Sequence, residues 1–427
     1  MPLTVFRGAA KLRVPSTARA FSTSPCLLRA RGTGYLPPNS SHLPLIIQSL
    51  GVMPTFHDPS SPELAQAYEN VRENILIPSF LFKQHRNFVY RERNHKLLTD
   101  PENPVIVNIG SQDVQLTPRP TWNPPPINTF SHTINMMKTD KDFANIPALC
   151  YSYALGEMPL RESQIEKVAR IMTLRGKMNI LLKLAHQSYK HEHSIKFTKP
   201  LVREYMRGFL LQNQIPKMES MAKLSLKGIA HFLRLVCDPK VKRDRAEKLR
   251  NDPVVVGLEL HAYASATKNY NNGEDYKHLT SQAAQRFLTV WEKQPVPELR
   301  ETVKNDVAGR NRVKQMVLDF RPVMEGLVIA REILKGSETI AALKKHEKKL
   351  RETLEVWEAF LARQNMPMGR TWQTYKDNAV AMGEEIREKM GDKEGEGKEE
   401  SELLAEDESE VKLEENEGGE NAGEVRP

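Results

Sequence analysis

Three histidines close together, His186, His191 and His193, are the side chains of this sequence best suited by type to hold a metal. Ligands on one helical face stand four residues apart, whereas His186 and His191 stand five apart, and Lys183, Lys190 and Lys196 beside them oppose a cation. The residues therefore predict no metal and no cofactor, and instead a solvated basic helix whose histidines face phosphate. Ser220 and Lys223 have the Ser-x-x-Lys spacing of a hydrolase family without its companion motifs. Gly-rich phosphate loops, dinucleotide-binding glycine patterns and nucleophile elbows are missing too. Cys150 and Cys237 lie among apolar neighbours and read as small buried hydrophobes. No catalytic residue is assigned, and the expectation is a protein that is not an enzyme.

The side chains in excess are cations, and their chemistry is phosphate binding. Lys183, Lys190, Lys196, Lys199, Arg203 and Arg207 recur on successive turns, and Lys240, Lys242, Arg243, Arg245, Lys248 and Arg250 cluster in a polar connection after Cys237. Long, mobile cations meet phosphate oxygens without strict geometry and contribute salt dependence more than sequence specificity. These are the expected RNA-binding residues; the competing reading of each is an ordinary solvated surface charge. The formal charge of +8 conceals an asymmetry, since residues 384–427 hold 18 acids and 6 bases and leave 56 bases and 36 acids to residues 1–383. Residues 161–250 alone hold 21 bases and 8 acids. Solvated surfaces usually mix both signs, so this excess predicts a polyanionic partner, RNA or anionic lipid.

The elements that must position these cations are helices. Residues 36–68 are rich in Pro, Ser and His and predict an extended arm that takes its order from whatever it lies on. Residues 64–98 predict one or two helices interrupted at Pro78, with the basic run Lys83, Arg86, Arg91, Arg93 and Lys96 set among aromatic anchors. Residues 105–109 and 114–116 predict a lone β-hairpin around Gly110-Ser111. The prolines between Pro118 and Pro126 exclude helix and central strand, and mark a linker.

From residue 127 the apolar spacing is helical: 147–155 with 161–175, then 201–210 with 218–228 about 54 residues later, then 256–266 with 281–292. Such pairs bury their apolar faces only by stacking, which predicts an α-solenoid. Residues 311–334, kinked at Pro322, and 338–364, with a seam of Leu343, Leu350, Leu354, Trp357 and Leu361, predict an antiparallel hairpin closing it. The outer side of that hairpin carries Lys344, Lys345, Lys348, Lys349 and Arg351. Tyr151, Tyr153, Tyr205, Phe209, Tyr263, Phe287 and Trp291 fall at helical spacing and read mainly as core, with base stacking as the alternative.

The expected fold class is mainly α: an irregular α-solenoid of helix-pair repeats with an N-terminal extended arm, a small β-hairpin and a C-terminal helical hairpin. The expected divisions are a transit peptide at 1–28, the arm at 29–68, and a helical segment, hairpin and linker at 69–126. The repeat domain follows at 127–300, the helical hairpin at 301–382 and a disordered acidic tail at 383–427.

Within the repeat domain, Ala148-Leu-Cys-Tyr-Ser-Tyr-Ala-Leu-Gly-Glu followed by Val168-Ala-Arg-Ile-Met-Thr-Leu-Arg-Gly resembles a degenerate pentatricopeptide-type unit. The spacing departs from that family's period of about 34 residues, so no one-repeat-per-base code is assigned. The leader points to a compartment: Arg7, Lys11, Arg13, Arg19, Arg29 and Arg31 precede the first acid, Asp58. Arg-rich, acid-free leaders are drawn toward the matrix-negative side of the inner mitochondrial membrane. The run from Arg19 to Leu28 resembles a two-step matrix-processing pattern, with the mature chain expected to begin near Arg29.

With its Phe21-Ser22-Thr23-Ser24 leader, basic helical body and charged tail, the chain also resembles accessory subunits and translation factors of fungal mitochondrial ribosomes. That resemblance implies a non-enzymatic matrix component of the mitochondrial ribosome, bound to rRNA and ribosomal proteins. The alternatives are a factor for processing, stability or translation of mitochondrial mRNA, and an assembly scaffold in peripheral contact with the inner membrane. No run of 18 apolar residues offers a transmembrane segment.

Overall fold

Local chemistry sets the first helix. Ser61 Oγ accepts the Leu64 N–H at 3.2 Å, and Pro62 takes the first turn, where no intrahelical donor is required, so α1 (Pro62–Val71) begins within the last residues of the expected arm, which is helical from Pro62 onward. The computed structural model describes residues 47–49, 53–101, 104–109, 112–119, 124–190, 195–216, 218–237, 243–275, 277–294, 307–364 and 371–391. The expected transit peptide and most of the expected acidic tail lie outside these residues. A π-helical turn, Arg72–Leu76, joins α1 to α2 (Ile77–Phe80), which carries Pro78 in its first turn; α3 (Lys83–Tyr90) and α4 (Glu92–Leu98) follow.

The expected hairpin is present but not alone. β1 (Ile47–Ser49) pairs in parallel with β2 (Ile106–Ile109), Ile47 opposite Val107, and β2 pairs antiparallel with β3 (Gln112–Gln115), Val107 opposite Val114. Alternation along the strands sends Val107, Ile109 and Val114 into a small core shared with Leu81, Val89 and Leu98.

The arm takes part of its order from the chain itself. Phe56 stacks on Tyr68 at 4.7 Å, and His57 is held by Asn145, whose Oδ1 accepts its N–H at 2.6 Å while Nδ2 donates to its carbonyl at 3.1 Å. Asp142 accepts the Ser60 hydroxyl at 2.6 Å and the backbone N–H groups of Ser60, Lys138 and Thr139 at 2.9, 3.0 and 2.8 Å. Burial by itself raises that carboxyl's pKa; the donors, Ser60 first among them, reverse the sign and hold it well below the usual carboxylate range.

Beyond α5 (Asn128–Met136), α6 (Asp140–Ala144) and α7 (Ile146–Leu155), the body is built of helix pairs. Their first helices are α8 (Glu162–Leu174), α10 (Lys199–Asn213), α13 (Pro253–Tyr270) and α15 (Val307–Ile333), each packed on the next. Their partners are α9 (Met178–Lys190), α11 (Glu219–Cys237), α14 (Leu279–Lys293) and α16 (Ser337–Arg363), with α12 (Arg243–Arg250) inserted before α13. The first helices of the last three pairs start 54 residues apart, at Lys199, Pro253 and Val307.

The pairing of 147–155 with 161–175 is corrected. α7 packs on α9 and on the π-helical turn, and α8 pairs with α9. α7 buries Ile146, Leu149, Cys150 and Tyr153 on one side and Pro147 and Ser152 on others, and none of its residues is fully exposed, so it lacks the polar face of a stacked pair member and serves as a bridge. Burial pushes the Cys150 thiol up to about 12. Tyr153, Tyr205, Phe209, Phe287 and Trp291 are core, Tyr205 stacking on Phe232 at 4.5 Å. Where α13 meets α15 the backbones are too close for side chains: a Cβ at Gly326 would lie 2.5 Å from His261 Cβ, and one at Gly257 2.5 Å from Val323 Cγ1.

The closing hairpin is α15 and α16, its seam of Leu343, Leu350, Leu354, Trp357 and Leu361 buried; α15 runs through Pro322 as one helix. A further helix, α17 (Trp372–Gly391), lies across α8, α10 and α15. It corrects the expectation that order ends at 382. Trp372, Tyr375 and Ala379 are its buried stripe, and its later turns pass so close to the body that a Cβ at Gly383 would lie 2.8 Å from Ile215 Cγ2.

His261, buried beneath α17, makes this packing sensitive to acid. Burial pushes its pKa down to about 4, with Glu325 acting upward and Lys376 downward. A depressed pKa gives stability that is complete above the unfolded value of about 6.5 and declines as pH falls toward 4, in total ~3 kcal/mol. Urea midpoints between pH 7.5 and 4.5 check this, with His261→Gln expected to flatten the profile.

Candidate nucleic-acid interface

α10 carries Lys199, Arg203 and Arg207 one turn apart, and that face turns inward. Arg203 donates from Nε and Nη2 to the two carboxylate oxygens of Asp252, at 2.8 Å each, and from Nη1 to Asp319 Oδ2 at 2.6 Å. Arg207 donates to Asp319 Oδ1 and to Glu204 Oε2, each at 2.5 Å. Gln315 donates to Asp319 Oδ1 at 2.9 Å, and the Tyr375 hydroxyl, from α17, donates to Glu204 Oε1 at 2.9 Å. Arg207, Asp252 and Asp319 are each 1% exposed. Burial works against both guanidinium charges, and the surrounding carboxylates more than reverse it, holding both pKa values above the ordinary arginine value. Charges so placed cannot meet phosphate without dismantling the core. The reading of Arg207 as an RNA contact is therefore corrected, while Arg203, its side chain 20% exposed, is engaged by Asp252 and Asp319; together they join α10, α13, α15 and α17.

The other expected contacts are distributed differently. Lys199 remains half in solvent but lies 3.4 Å from Asp252, and exposed Lys196 pairs with Glu162 at 3.1 Å. Lys183 on α9 and Lys248 and Arg250 on α12 are exposed. The side chains of Lys190, Arg243 and Arg245, and Lys240, Lys242, His191 and His193 altogether, lie outside the described residues. Other cations of the region are matched locally, Lys177 by Asp140 at 2.5 Å and Lys223 by Glu219 at 2.7 Å. The basic excess of residues 161–250 is therefore partly neutralised inside the fold.

The carboxylates that do this were missed by sequence reasoning. Asp319 stands in the apolar run Val317-Leu318-Asp319-Phe320, and an acid in such a run is the one local sign of a buried charge awaiting a partner.

A cleaner cationic surface lies on α16. Lys344, Lys345, Lys348 and Lys349 are exposed on the side opposite the Leu–Trp seam. Among the described residues, Lys344, Lys345 and Lys349 make no ion pair, and Lys348 stands 4.0 Å from Glu352. Glu347, on the inner side, is taken by Arg351 at 2.8 Å and Arg331 at 3.5 Å. The heptad-like seam dictates this arrangement, because burying one stripe obliges the intervening lysines to face water. Among the described residues no helix is long and apolar enough to cross a membrane, and no group of three His, Cys, Asp or Glu side chains is placed to hold a metal.

No curated protein matches the chain. The family model of mitochondrial ribosomal protein mS27 matches residues 46–377, from the edge of β1 to the first turns of α17, and so takes in both cores. A helical body whose α10 arginines turn inward and whose α16 lysines face outward thus belongs to the mitochondrial ribosomal protein mS27 family, and is a component of the mitochondrial ribosome.

Proposed function

We propose that this chain is a non-enzymatic, stably bound subunit of the ribosome in the mitochondrial matrix, holding rRNA on the outer face of α16 and ribosomal proteins at other parts of its surface. The observation that carries the rRNA assignment is the row of exposed lysines at Lys344, Lys345, Lys348 and Lys349, which the fold leaves largely without internal acids. Helix pairs stacked first helix on first helix support a pentatricopeptide-type origin for the body. α17 lying along that row favours a scaffold over a reader of one transcript, since three of the first helices are covered by the chain's own helix.

The test is sedimentation of matrix extract and RNA binding by the full chain. The protein is expected to travel with a ribosomal subunit at moderate salt and to shift on ribonuclease treatment. Changing Lys344, Lys345, Lys348 and Lys349 to Gln is expected to lower the slope of log K against log salt by about 3 to 4, at roughly 0.7 to 0.9 for each phosphate no longer neutralised. Retention of a single transcript away from ribosomes, or flotation with cardiolipin vesicles in preference to RNA retention, would overturn the assignment.

A further inference from the structure

We infer that α3 and α4 form a second RNA-contacting face, on the small N-terminal core, that takes the phosphate backbone of a ribosomal RNA segment; the inference rests on the ribosomal function proposed for the chain. From Lys83 to Leu98 the chain carries Lys83, Arg86, Arg91, Arg93 and Lys96 against a single acid, Glu92. The inner sides of the two helices are spoken for: His85, Val89 and Leu98 are buried. The outer sides expose Arg86, Arg91, Arg93 and Lys96.

Arg86 has an internal task, donating from Nε to the Leu81 carbonyl at 3.0 Å and from Nη2 to the Ser79 carbonyl at 3.3 Å, and so satisfies acceptors at the end of α2. Arg91, Arg93 and Lys96 have no side-chain partner among the described residues. Lys96 sits in the last turn of α4, where the helix dipole favours a cation, while Arg91 stands at the junction of the two helices, at once the C-cap of α3 and the N-cap of α4. Arg93 sits in the first turn of α4, where the dipole disfavours a cation, beside Glu92, the one acid of that turn, with which it makes no ion pair among the described residues. Beside these cations two large apolar side chains are left in solvent, Phe82 at 43% and Leu97 at 56% exposure.

This contrasts with residues 161–250, where several cations have a carboxylate of their own within the fold. An acidic protein face would have to match carboxylates one by one to side chains that nothing holds in place. A phosphate backbone puts an anion within reach of each long, mobile cation, and the faces of unpaired bases offer cover to an exposed ring such as Phe82.

The experiment compares the full chain with the triple variant Arg91→Gln, Arg93→Gln, Lys96→Gln, and with the variant in which the four α16 lysines are Gln. Each is titrated with rRNA extracted from mitochondrial ribosomes at a series of salt concentrations, with thermal midpoints measured alongside. The triple variant is expected to keep its midpoint and to lose about 2 to 3 from the slope of log K against log salt, independently of the α16 change. A wild-type slope in the triple variant overturns the inference and leaves the ribosomal function standing. Loss of co-sedimentation with that slope unchanged also overturns it, by assigning the face to a protein. If the unaltered chain neither binds the rRNA nor travels with ribosomes, the ribosomal function fails and this inference falls with it.

Discussion

Asp319→Ala is expected to cost the fold about 3–5 kcal/mol, because it removes the carboxylate shared by the buried guanidinium of Arg207 and the largely covered one of Arg203. Arg203 would retain its two bonds to Asp252, and Arg207 would keep only Glu204, itself held by Tyr375. Gln315 would lose its acceptor as well. Deleting one member of a buried ionic cluster leaves the others charged and unsolvated, whereas replacing the cluster by matched apolar groups removes the demand altogether. Arg207→Met and Glu204→Gln combined with Asp319→Leu are therefore expected to recover a large part of the loss, the Gln keeping an acceptor for Tyr375, which chemical denaturation of the single and combined variants would measure. Arg207→Met assayed where it remains folded is expected to leave the salt slope of RNA binding as it is in the unaltered chain. An undiminished denaturation midpoint accompanied by a lower slope would return Arg207 to the interface.

Trp372→Ala is expected to cost about 3–5 kcal/mol through the cavity it leaves, and to loosen α17 in particular. The indole is 2% exposed, donates from Nε1 to Glu325 Oε2 at 2.7 Å and faces the His261 ring edge-on at 6.3 Å. Glu325 would then depend on Lys376 alone, at 3.1 Å. Because α17 touches α8, α10 and α15 together, its loosening should raise hydrogen exchange in all three and open a proteolytic site near its start. Protection in α10 and α15 that stays at the level of the unaltered chain would show that α17 is an ornament of the fold and not its fastening.

The parts of this architecture legible in the sequence are those whose signal is local. The α16 seam repeats in three and four steps, so both its buried stripe and its outward lysines could be read directly. The four-residue spacing of Arg203 and Arg207 likewise announced a common face on α10. Its direction was not legible, because the deciding carboxylates lie 49, 112 and 116 residues away in the chain, and no periodicity relates them to α10. β1 escaped notice for the same reason, as its partner strand follows some sixty residues later. α17 was hidden differently: Trp372, Tyr375 and Ala379 form a clear stripe, but Glu- and Gly-rich sequence beyond it dilutes any average taken across the boundary. α7 was paired wrongly because an element apolar on all sides carries no phase from which to infer its neighbour.

Arg207 meets Asp319 across 112 residues of chain, and Glu204 meets Tyr375 across 171. A polypeptide delivered from its N-terminus consequently exposes α10 with Arg203 and Arg207 lacking their shared carboxylate until α15 arrives, and with Glu204 incomplete until α17 does. The middle of the molecule is thus the last place to mature, and a product cut short before Trp372 carries its defect at its centre, where quality control meets an open ionic core.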